Sequence, residues 1–425
     1  TAAVLEALGD VRERLGRLPA ARAAYGRALA AAEASCDVPA VVRLSVRQGR
    51  VAEKAGRYRA SLRWYDRADA ALAGAGLGAR ARAALEAESS LGRALTLYFL
   101  ARQRAALAAC QAALAAATTA GDDRLVAQAH LQTEMVLSEI GDPRSAVHGR
   151  AARRRFERLG DNVGLGNVLL NLGVSAYNRG RIVDALGLYE GSEAAYERAG
   201  DVIGGALVAN NRAEVLTDQG RFEDAARLLQ RARRLFRATG YGSGVAMTTS
   251  AFSRLALRGG DTAEADRLLD EALAEFRSLD AANYVADTLV RRVENLVAAG
   301  RADEALVVAT TARAALDQQE QPALLPEVLA RLVAMACVSR GDVAAAERAL
   351  DAAGTGRGVR SRLEAALRDV VRAAAHGAPV PPGARRVLRA EGVTLVPVPA
   401  PGGRWSWEPL AAVTSRPGTS APCSS

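Results

Sequence analysis

The chain has 425 residues, of which 50% are hydrophobic and 4% aromatic, and its formal net charge is +9. Alanine is abundant and proline is almost absent before residue 321, a composition that favours helix. No run of about 18 apolar residues predicts a membrane span, and no charged, then apolar leader predicts a signal peptide. We therefore expect an all-α, cytoplasmic protein.

One short pattern recurs along most of the chain. Positions with the same local context follow one another at intervals of 39 to 45 residues. These positions are Gly16, Gly56, Ala101, Gly141, Gly180, Gly220, Gly260, Gly300 and Gly341. Five residues later comes a small residue, and a larger one often follows after four more, so both lie on one helix face. A period of about 40 predicts nine helix–turn–helix units stacked as a solenoid.

The pattern within each unit resembles the tetratricopeptide repeat (TPR). Leu172 and Gly173 stand in the first helix, Gly180 at the turn, and Ala185 and Tyr189 in the second helix. The resemblance covers nine units and about 350 residues, although the TPR period is usually 34. It implies a right-handed superhelix with longer helices or longer loops, whose concave groove binds a protein or a peptide.

The units follow one another without a break over residues 1–354. The third is degenerate, because Ala101 replaces the turn glycine, and units five to eight are the most regular. Between units, pairs such as Gly160 and Asp161 are expected to end one helix and cap the next. A further amphipathic helix within 355–378 is expected to cap the stack.

Residues 379–425 differ in composition from the repeats. They are rich in proline, glycine and serine, which predicts a mostly disordered tail, because such a sequence lacks a core of its own. Two features within it predict order. Residues 393–398 are a candidate strand, and Trp405 and Trp407 are candidates to dock on the last helix or on a partner.

No catalytic, cofactor or metal site is predicted. Lys54 stands between glutamate and alanine, so the Gly-Lys-Ser/Thr loop that holds phosphates is absent. The histidines, His130, His148 and His376, lie on separate predicted helices without a carboxylate at metal-binding spacing. The four cysteines are far apart, as expected for free thiols in a reducing compartment.

Polar residues on the first helices of units five to seven form the candidate binding site. First helices line the concave groove of a TPR solenoid, where amides and guanidinium groups can hold a peptide or another anion. We expect Asn171 and Asn211 instead to bond to the backbone of a neighbouring unit. The groove candidates are Asn167, Tyr177, Asn178, Asn210, Arg254 and Arg258.

A cluster of cations lies near the end of unit four and contains Arg150, Arg153, Arg154 and Arg155. It falls on a predicted second helix, which usually belongs to the outer wall, and Glu157 is nearby. Charge runs are usually solvated surface, so we interpret the cluster as surface and expect no nucleic-acid partner. A patch that binds an anion or nucleic acid is the alternative.

A wider resemblance concerns the run over 166–229. It is similar to the C-terminal repeats of large actinobacterial proteins that join a class III adenylate or guanylate cyclase domain to an AAA-type ATPase module. The repeats also resemble those of large ATP-dependent transcriptional activators. No polar cap precedes the first unit, so we expect the C-terminal piece of a longer protein. The resemblance implies a regulatory segment that contacts upstream domains; a free-standing adaptor, an enzyme subunit and a nucleic-acid binder are the alternatives.

Overall fold

The computed structural model describes residues 2–15, 17–318, 325–352 and 362–413, and most of them are helical. The repeats consist of paired helices, each pair having a first and a second helix. In chain order these are α1 (Ala2–Arg14), α2 (Leu18–Ala34), α3 (Val38–Lys54), α4 (Tyr58–Ala73), α5 (Ala79–Phe99), α6 (Gln103–Ala120), α7 (Asp123–Glu139), α8 (Ser145–Leu159), α9 (Asn162–Asn178), α10 (Ile182–Ala199), α11 (Val202–Asp218), α12 (Phe222–Thr239), α13 (Gly242–Arg258), α14 (Thr262–Ser278), α15 (Ala282–Ala298), α16 (Ala302–Asp317), α17 (Leu325–Ser339) and α18 (Val343–Ala352). The predicted all-α solenoid is confirmed.

The turns between paired helices depend on a left-handed backbone conformation. The backbone φ is +73° at Gly180 and +72° at Gly220, a region that glycine enters without steric cost. Ala101 takes the same conformation with φ of +57°, so the degenerate third repeat keeps the turn. Between repeats, Gly160 ends α8 with φ of +62°, and the Asp161 side chain accepts a hydrogen bond from the Gly164 amide, as the sequence predicted.

The paired helices approach closely because small residues face large ones. Tyr189 on α10 is 1% exposed and packs against Gly173 on α9. A Cβ atom at Gly173 would lie 2.5 Å from the Tyr189 ring, so no larger residue fits without a shift. Ala185, one turn before the tyrosine, is fully buried. The core therefore runs along the solenoid between the two layers of helices.

Repeats far apart in sequence also touch. Tyr58, at the start of α4, shares a buried cluster with Phe276 of α14 and Ala281. Its ring stacks on that of Phe99 with centroids 5.1 Å apart, and Phe99 stacks in turn on Tyr284 of α15 at 6.3 Å. Repeats two and three thus contact repeats seven and eight directly.

The chain continues beyond the repeats as a folded C-terminal module, residues 362–413. Its elements are α19 (Arg362–Ala375), α20 (Pro382–Ala390), β1 (Leu395–Ala400), β2 (Arg404–Pro409) and α21 (Leu410–Val413). The two strands form an antiparallel hairpin. This order corrects the prediction of a mostly disordered tail for residues 379–413. Residues 414–425 lie outside the described part of the chain.

The module is ordered because the repeats supply the core that its composition lacks. Leu388 and Val396 are fully buried in the same cluster as Tyr189 and Val208 of the repeats. Trp405 is 3% exposed, and its Nε1 donates a hydrogen bond to the backbone carbonyl of Met335 on α17, 3.2 Å away. One of the two candidate tryptophans therefore docks on the last repeat. Helix α19 packs against both helices of that repeat.

Within the described ranges, no helix is both long enough and apolar enough to cross a membrane.

Candidate functional site

A cavity of about 550 Å³ lies on the inner side of the solenoid. Its wall is formed mainly by the first helices of repeats four to nine, together with the end of α5. The C-terminal module contributes Leu363, Leu367, Leu395 and Trp407, so repeats and module bound the same space. The Trp407 ring centroid lies 4.1 Å from the Arg258 guanidinium carbon. This volume is typical of a ligand-binding site.

Most of the predicted groove residues meet in this cavity. Those that line it are Tyr177, Asn178, Asn210, Arg254 and Arg258. Asn167 does not belong to the lining, which corrects its prediction as a groove residue. Its side-chain oxygen accepts a hydrogen bond of 2.7 Å from the Tyr196 hydroxyl and thereby links α9 to α10.

Five asparagine amides line the cavity without a side-chain hydrogen bond to any described residue. They are Asn171, Asn178, Asn210, Asn211 and Asn283. The expectation that Asn171 and Asn211 bond to a neighbouring backbone is therefore wrong, because both face the cavity instead. Asn210 is only 1% exposed, and its Oδ1 has no partner. A buried amide left unpaired costs about 1–3 kcal/mol, which a ligand that bonds to Asn210 would relieve. The other four amides are half-buried or exposed and can also bond to a ligand.

The two predicted arginines are already paired. Arg254 donates to both oxygens of Asp218, at 2.6 and 2.8 Å, and Tyr177 donates to the same carboxylate at 2.7 Å. Arg258 pairs with Glu294 at 2.8 Å. Burial raises the pKa of Glu294, but the nearby arginines outweigh it and lower the pKa to about 2. These ion pairs link α11, α13 and α15, and their charges are neutralised within the fold.

Two further arginines of the lining are paired in the same way. Arg291 contacts Asp287 at 2.8 Å and Glu214 at 3.2 Å, although Glu214 belongs to a helix two repeats earlier. Arg331 on α17 donates to Glu364 of the module at 2.6 Å, and both side chains are at most 7% exposed. These contacts hold opposite parts of the cavity wall together.

At the end formed by α5 and α7, two acids form no ion pair with any residue that the structure describes. Tyr98 donates to Glu139 at 3.3 Å, and burial raises the pKa of that carboxyl. Glu134 is 1% exposed, neither of its oxygens has a hydrogen-bond partner, and burial raises its pKa to about 8. The nearby Arg179 lowers this pKa only partly, because its Nη2 donates to Ser145 instead. Sequence reasoning did not identify these two acids.

The predicted cation cluster lies away from the cavity, on α8. Arg150, Arg153 and Arg154 are exposed, whereas Arg155 is half-buried. Arg153 forms an ion pair of 2.8 Å with Glu157, one turn further along the helix. The patch is therefore not part of the site that the asparagines form.

The ranges that the structure describes contain no group of three or more His, Cys, Asp or Glu residues able to hold a metal. His130 and His148 lie on separate helices, α7 and α8, and their Nδ1 atoms are 3.0 Å apart. Burial lowers the pKa of both, that of His130 to about 4. Cys110 and Cys337 are buried free thiols whose pKa burial raises.

Comparison with known proteins agrees with this architecture. Residues 206–278 match the family model described as tetratricopeptide repeat. No curated protein sequence matches the chain. Among solved structures, it is similar to a Rap protein complexed with competence and sporulation factor, at 13% identity and a TM-score of 0.57, covering 75% of this chain and 98% of that one.

Two other structures show a comparable likeness. The Rap conjugation gene regulator of plasmid pLS20, in complex with the Phr* peptide, has 15% identity and a TM-score of 0.57, covering 68% of this chain and 76% of that one. The apo quorum sensor NprR from B. thuringiensis has 12% identity and a TM-score of 0.50, covering 81% and 97%. At these identities the likeness is one of fold, and the chain is an all-α, TPR-like solenoid.

Proposed function

We propose that the inner cavity binds a short peptide or an extended protein segment, and that the chain is a non-enzymatic binding and regulatory segment. The five unpaired asparagine amides of the lining carry this proposal. Each amide offers donors and an acceptor, as does each residue of a peptide backbone. Several such groups in one cavity are suited to hold an extended main chain, whatever its side chains.

The apolar part of the lining supports the same ligand class. Leu170, Leu207, Met247 and Val290 give the cavity hydrophobic surface beside the amides. Pockets that combine apolar walls with a few polar groups are typical binding sites. Two solved structures of the same fold are complexes with a factor or a peptide, as their names state. That likeness favours a peptide over a compact small molecule.

We propose further that this segment regulates a larger, cytoplasmic protein. The resemblance of residues 166–229 to the repeats of cyclase–ATPase fusion proteins supports an ATPase or nucleotide cyclase as the regulated domain. A large transcriptional regulator is the second candidate. The coding sequence upstream of Thr1 tests both. A phosphate-binding loop with a cyclase domain supports the first, a helix-turn-helix domain supports the second, and a start codon close by contradicts both.

The binding proposal is tested by selecting peptides from a random heptapeptide library on the purified chain and measuring their affinity by calorimetry. The double substitution Asn210→Ala and Asn211→Ala removes two of the five amides. We expect it to weaken selected peptides about thirtyfold, because two lost hydrogen bonds together cost about 2 kcal/mol. Asn162→Ala, outside the cavity, is the matched control. A wild-type chain that retains no peptide, or a double variant with unchanged affinity, contradicts the proposal.

A further inference from the structure

We propose that Glu134 and Glu139 form a cation subsite at one end of the cavity, which takes the guanidinium or ammonium group of the bound peptide. This inference rests on the proposed function and adds the side-chain class that the peptide presents at this end. It assigns a direction to the ligand, because the two ends of the cavity differ in their available charge.

Two acids and one arginine of the lining form no ion pair with any described residue, although the chain as a whole is basic. Four lining arginines each form an ion pair within the fold. These are Arg254, Arg258, Arg291 and Arg331. Glu134 and Glu139, by contrast, have no cation within salt-bridge distance among the described residues, and Arg179 donates to a serine hydroxyl. An anionic ligand group would find four of the five lining arginines occupied, whereas a cationic group meets two acids that have no salt-bridge partner among the described residues.

The geometry at this end suits an organic cation. Both Glu134 oxygens are free to accept hydrogen bonds while the side chain is 1% exposed. Two such oxygens match the paired N–H groups of a guanidinium, the strongest arrangement for a charged hydrogen bond. Burial together with the charges of Glu139 and Glu134 holds the pKa of Tyr98 well above its usual value, so one phenol lies within electrostatic reach of both acids. Because no third metal ligand is grouped with them among the described residues, these two acids are better suited to an organic cation than to a metal ion.

Binding a cation here is coupled to a proton. The groups facing Glu134 are Tyr98 from α5 and Arg179 beyond α9, whereas α8 and α9 present the uncharged Gly149 and Leu172. Glu139 faces Tyr98 and also Asp287 of α15, which is itself paired with an arginine. With a pKa of about 8, the Glu134 carboxyl is mostly protonated at pH 7. A bound cation favours the carboxylate, so up to one proton leaves when the ligand binds.

The test uses the full chain and two matched compounds in calorimetry at pH 7. N-acetyl-L-argininamide carries a guanidinium as its only charge, and N-acetyl-L-citrullinamide has a neutral urea in its place. We expect the wild type to prefer the arginine compound about tenfold, the effect of one charge-assisted hydrogen bond. Glu134→Gln should abolish the preference and Glu139→Gln should reduce it. Glu223→Gln, which changes an exposed acid on α12, should leave it unchanged.

A second readout separates charge recognition from a change in structure. Titration in two buffers of different ionisation enthalpy counts protons, and we expect release with the arginine compound in the wild type and none in Glu134→Gln. Circular dichroism checks that each variant is folded. Equal affinity for both compounds, no binding of the arginine compound, or a preference that survives in both glutamine variants overturns the subsite.

The outcomes also separate the subsite from the proposed function. A wild-type chain that selects no peptide but still prefers N-acetyl-L-argininamide contradicts peptide binding and keeps the cation site. A chain whose selected peptides lack basic residues and bind equally well to Glu134→Gln contradicts the cation site and keeps peptide binding.

Discussion

Two buried glutamates on first helices of the solenoid behave in opposite ways. Glu13 on α1 is 5% exposed and Glu134 on α7 is 1% exposed, and burial raises the pKa of both. At Glu13 a hydrogen bond from Arg50 and the charge of Lys54 outweigh burial and lower the pKa to about 2. Arg50 and Lys54 lie 2.7–2.8 Å away, and Tyr25 also donates to Glu13 at 2.8 Å. Glu134 has no such partners, and its pKa is raised to about 8.

The comparison shows that burial alone does not distinguish an acid with a structural role from an acid that binds a ligand. Where the neighbouring repeat supplies a cation, the acid is a structural link, as Glu13 is between α1 and α3. Where no cation is supplied, the buried carboxylate is unfavourable, and either a proton or a bound cation relieves that cost. An unpaired buried acid is therefore a better guide to a binding site than an arginine that the fold has already neutralised.

The largest expected effect is the loss of the Glu13 link. Glu13→Gln should lower the free energy of unfolding by about 3 kcal/mol at pH 7, because its pKa is well below that of the unfolded chain. This stability is present above about pH 4.5 and is lost as the pH falls towards 2, so the variant and the wild type should converge at low pH. Urea unfolding at pH 7 and pH 3 measures both. Unchanged stability at pH 7 contradicts the assignment, and Glu33→Gln, an exposed acid, is the control.

Glu134→Gln should act in the opposite direction and stabilise the chain by about 2 kcal/mol at pH 7. The wild-type carboxyl must take up a proton on folding, because its folded pKa lies above its unfolded pKa. Its favourable contribution is complete below about pH 4.5 and is lost as the pH rises through about 8. The gain in the variant should therefore vanish at pH 4 and grow towards pH 8. Urea unfolding of the variant and the wild type from pH 4 to pH 8 measures this difference in stability. Destabilisation of the variant at pH 8 would show that Glu134 is a structural link.

The arginine end of the cavity should respond weakly. Trp407→Ala removes the ring beside Arg258 and should cost about 1 kcal/mol of stability, measured by thermal or urea unfolding. Because Glu294 still neutralises Arg258, the preference for N-acetyl-L-argininamide should not change. Trp407→Leu keeps apolar bulk and separates packing from the cation–π contact. A lost preference in Trp407→Ala would mean that the two ends of the cavity are coupled.

The smallest effect concerns a conformational cost near the acid end. Ala101 follows α5, which carries Tyr98, and has a left-handed backbone. Ala101→Gly should stabilise the chain by about 0.5 kcal/mol, since relief of this strain exceeds the entropy that glycine costs. The gain should not depend on pH, unlike that of Glu134→Gln. In the matched control Ala105→Gly, within α6, the same change should destabilise the chain. A loss of stability in Ala101→Gly would contradict the proposal that the backbone at Ala101 is strained.

Local chemistry made the repeats predictable. The turn at Gly180 favours a residue without Cβ, and the close approach at Gly173 needs a small residue opposite Tyr189. Both requirements therefore recur in the sequence at a fixed period. The C-terminal module has no such periodic pattern, because Val396 and Trp405 are buried against side chains that the repeats supply. Composition describes a segment alone and does not show the surface on which it folds.

The sequence analysis did not identify Glu134 and Glu139, the acids at the end of the cavity formed by α5 and α7, for a related reason. Whether a glutamate is paired depends on the residue that the next repeat places beside it. Glu13 meets Arg50, which is 37 positions further along the chain. The same step from Glu134 leads to Asn171, an uncharged amide. A comparison of each glutamate with the residue 37 positions later, in the next repeat, would have singled out Glu134.

The buried cluster that contains Tyr58 and Phe276 changes how the chain is expected to unfold. In an open array each repeat touches only its neighbours, so the ends fray first and stability is a sum of local terms. Here the aromatic stack through Phe99 and Tyr284 joins repeats two and three to repeats seven and eight. Fraying at the amino-terminal end therefore removes support from helices that line the cavity. Because these contacts couple distant repeats, the solenoid should unfold in one cooperative step.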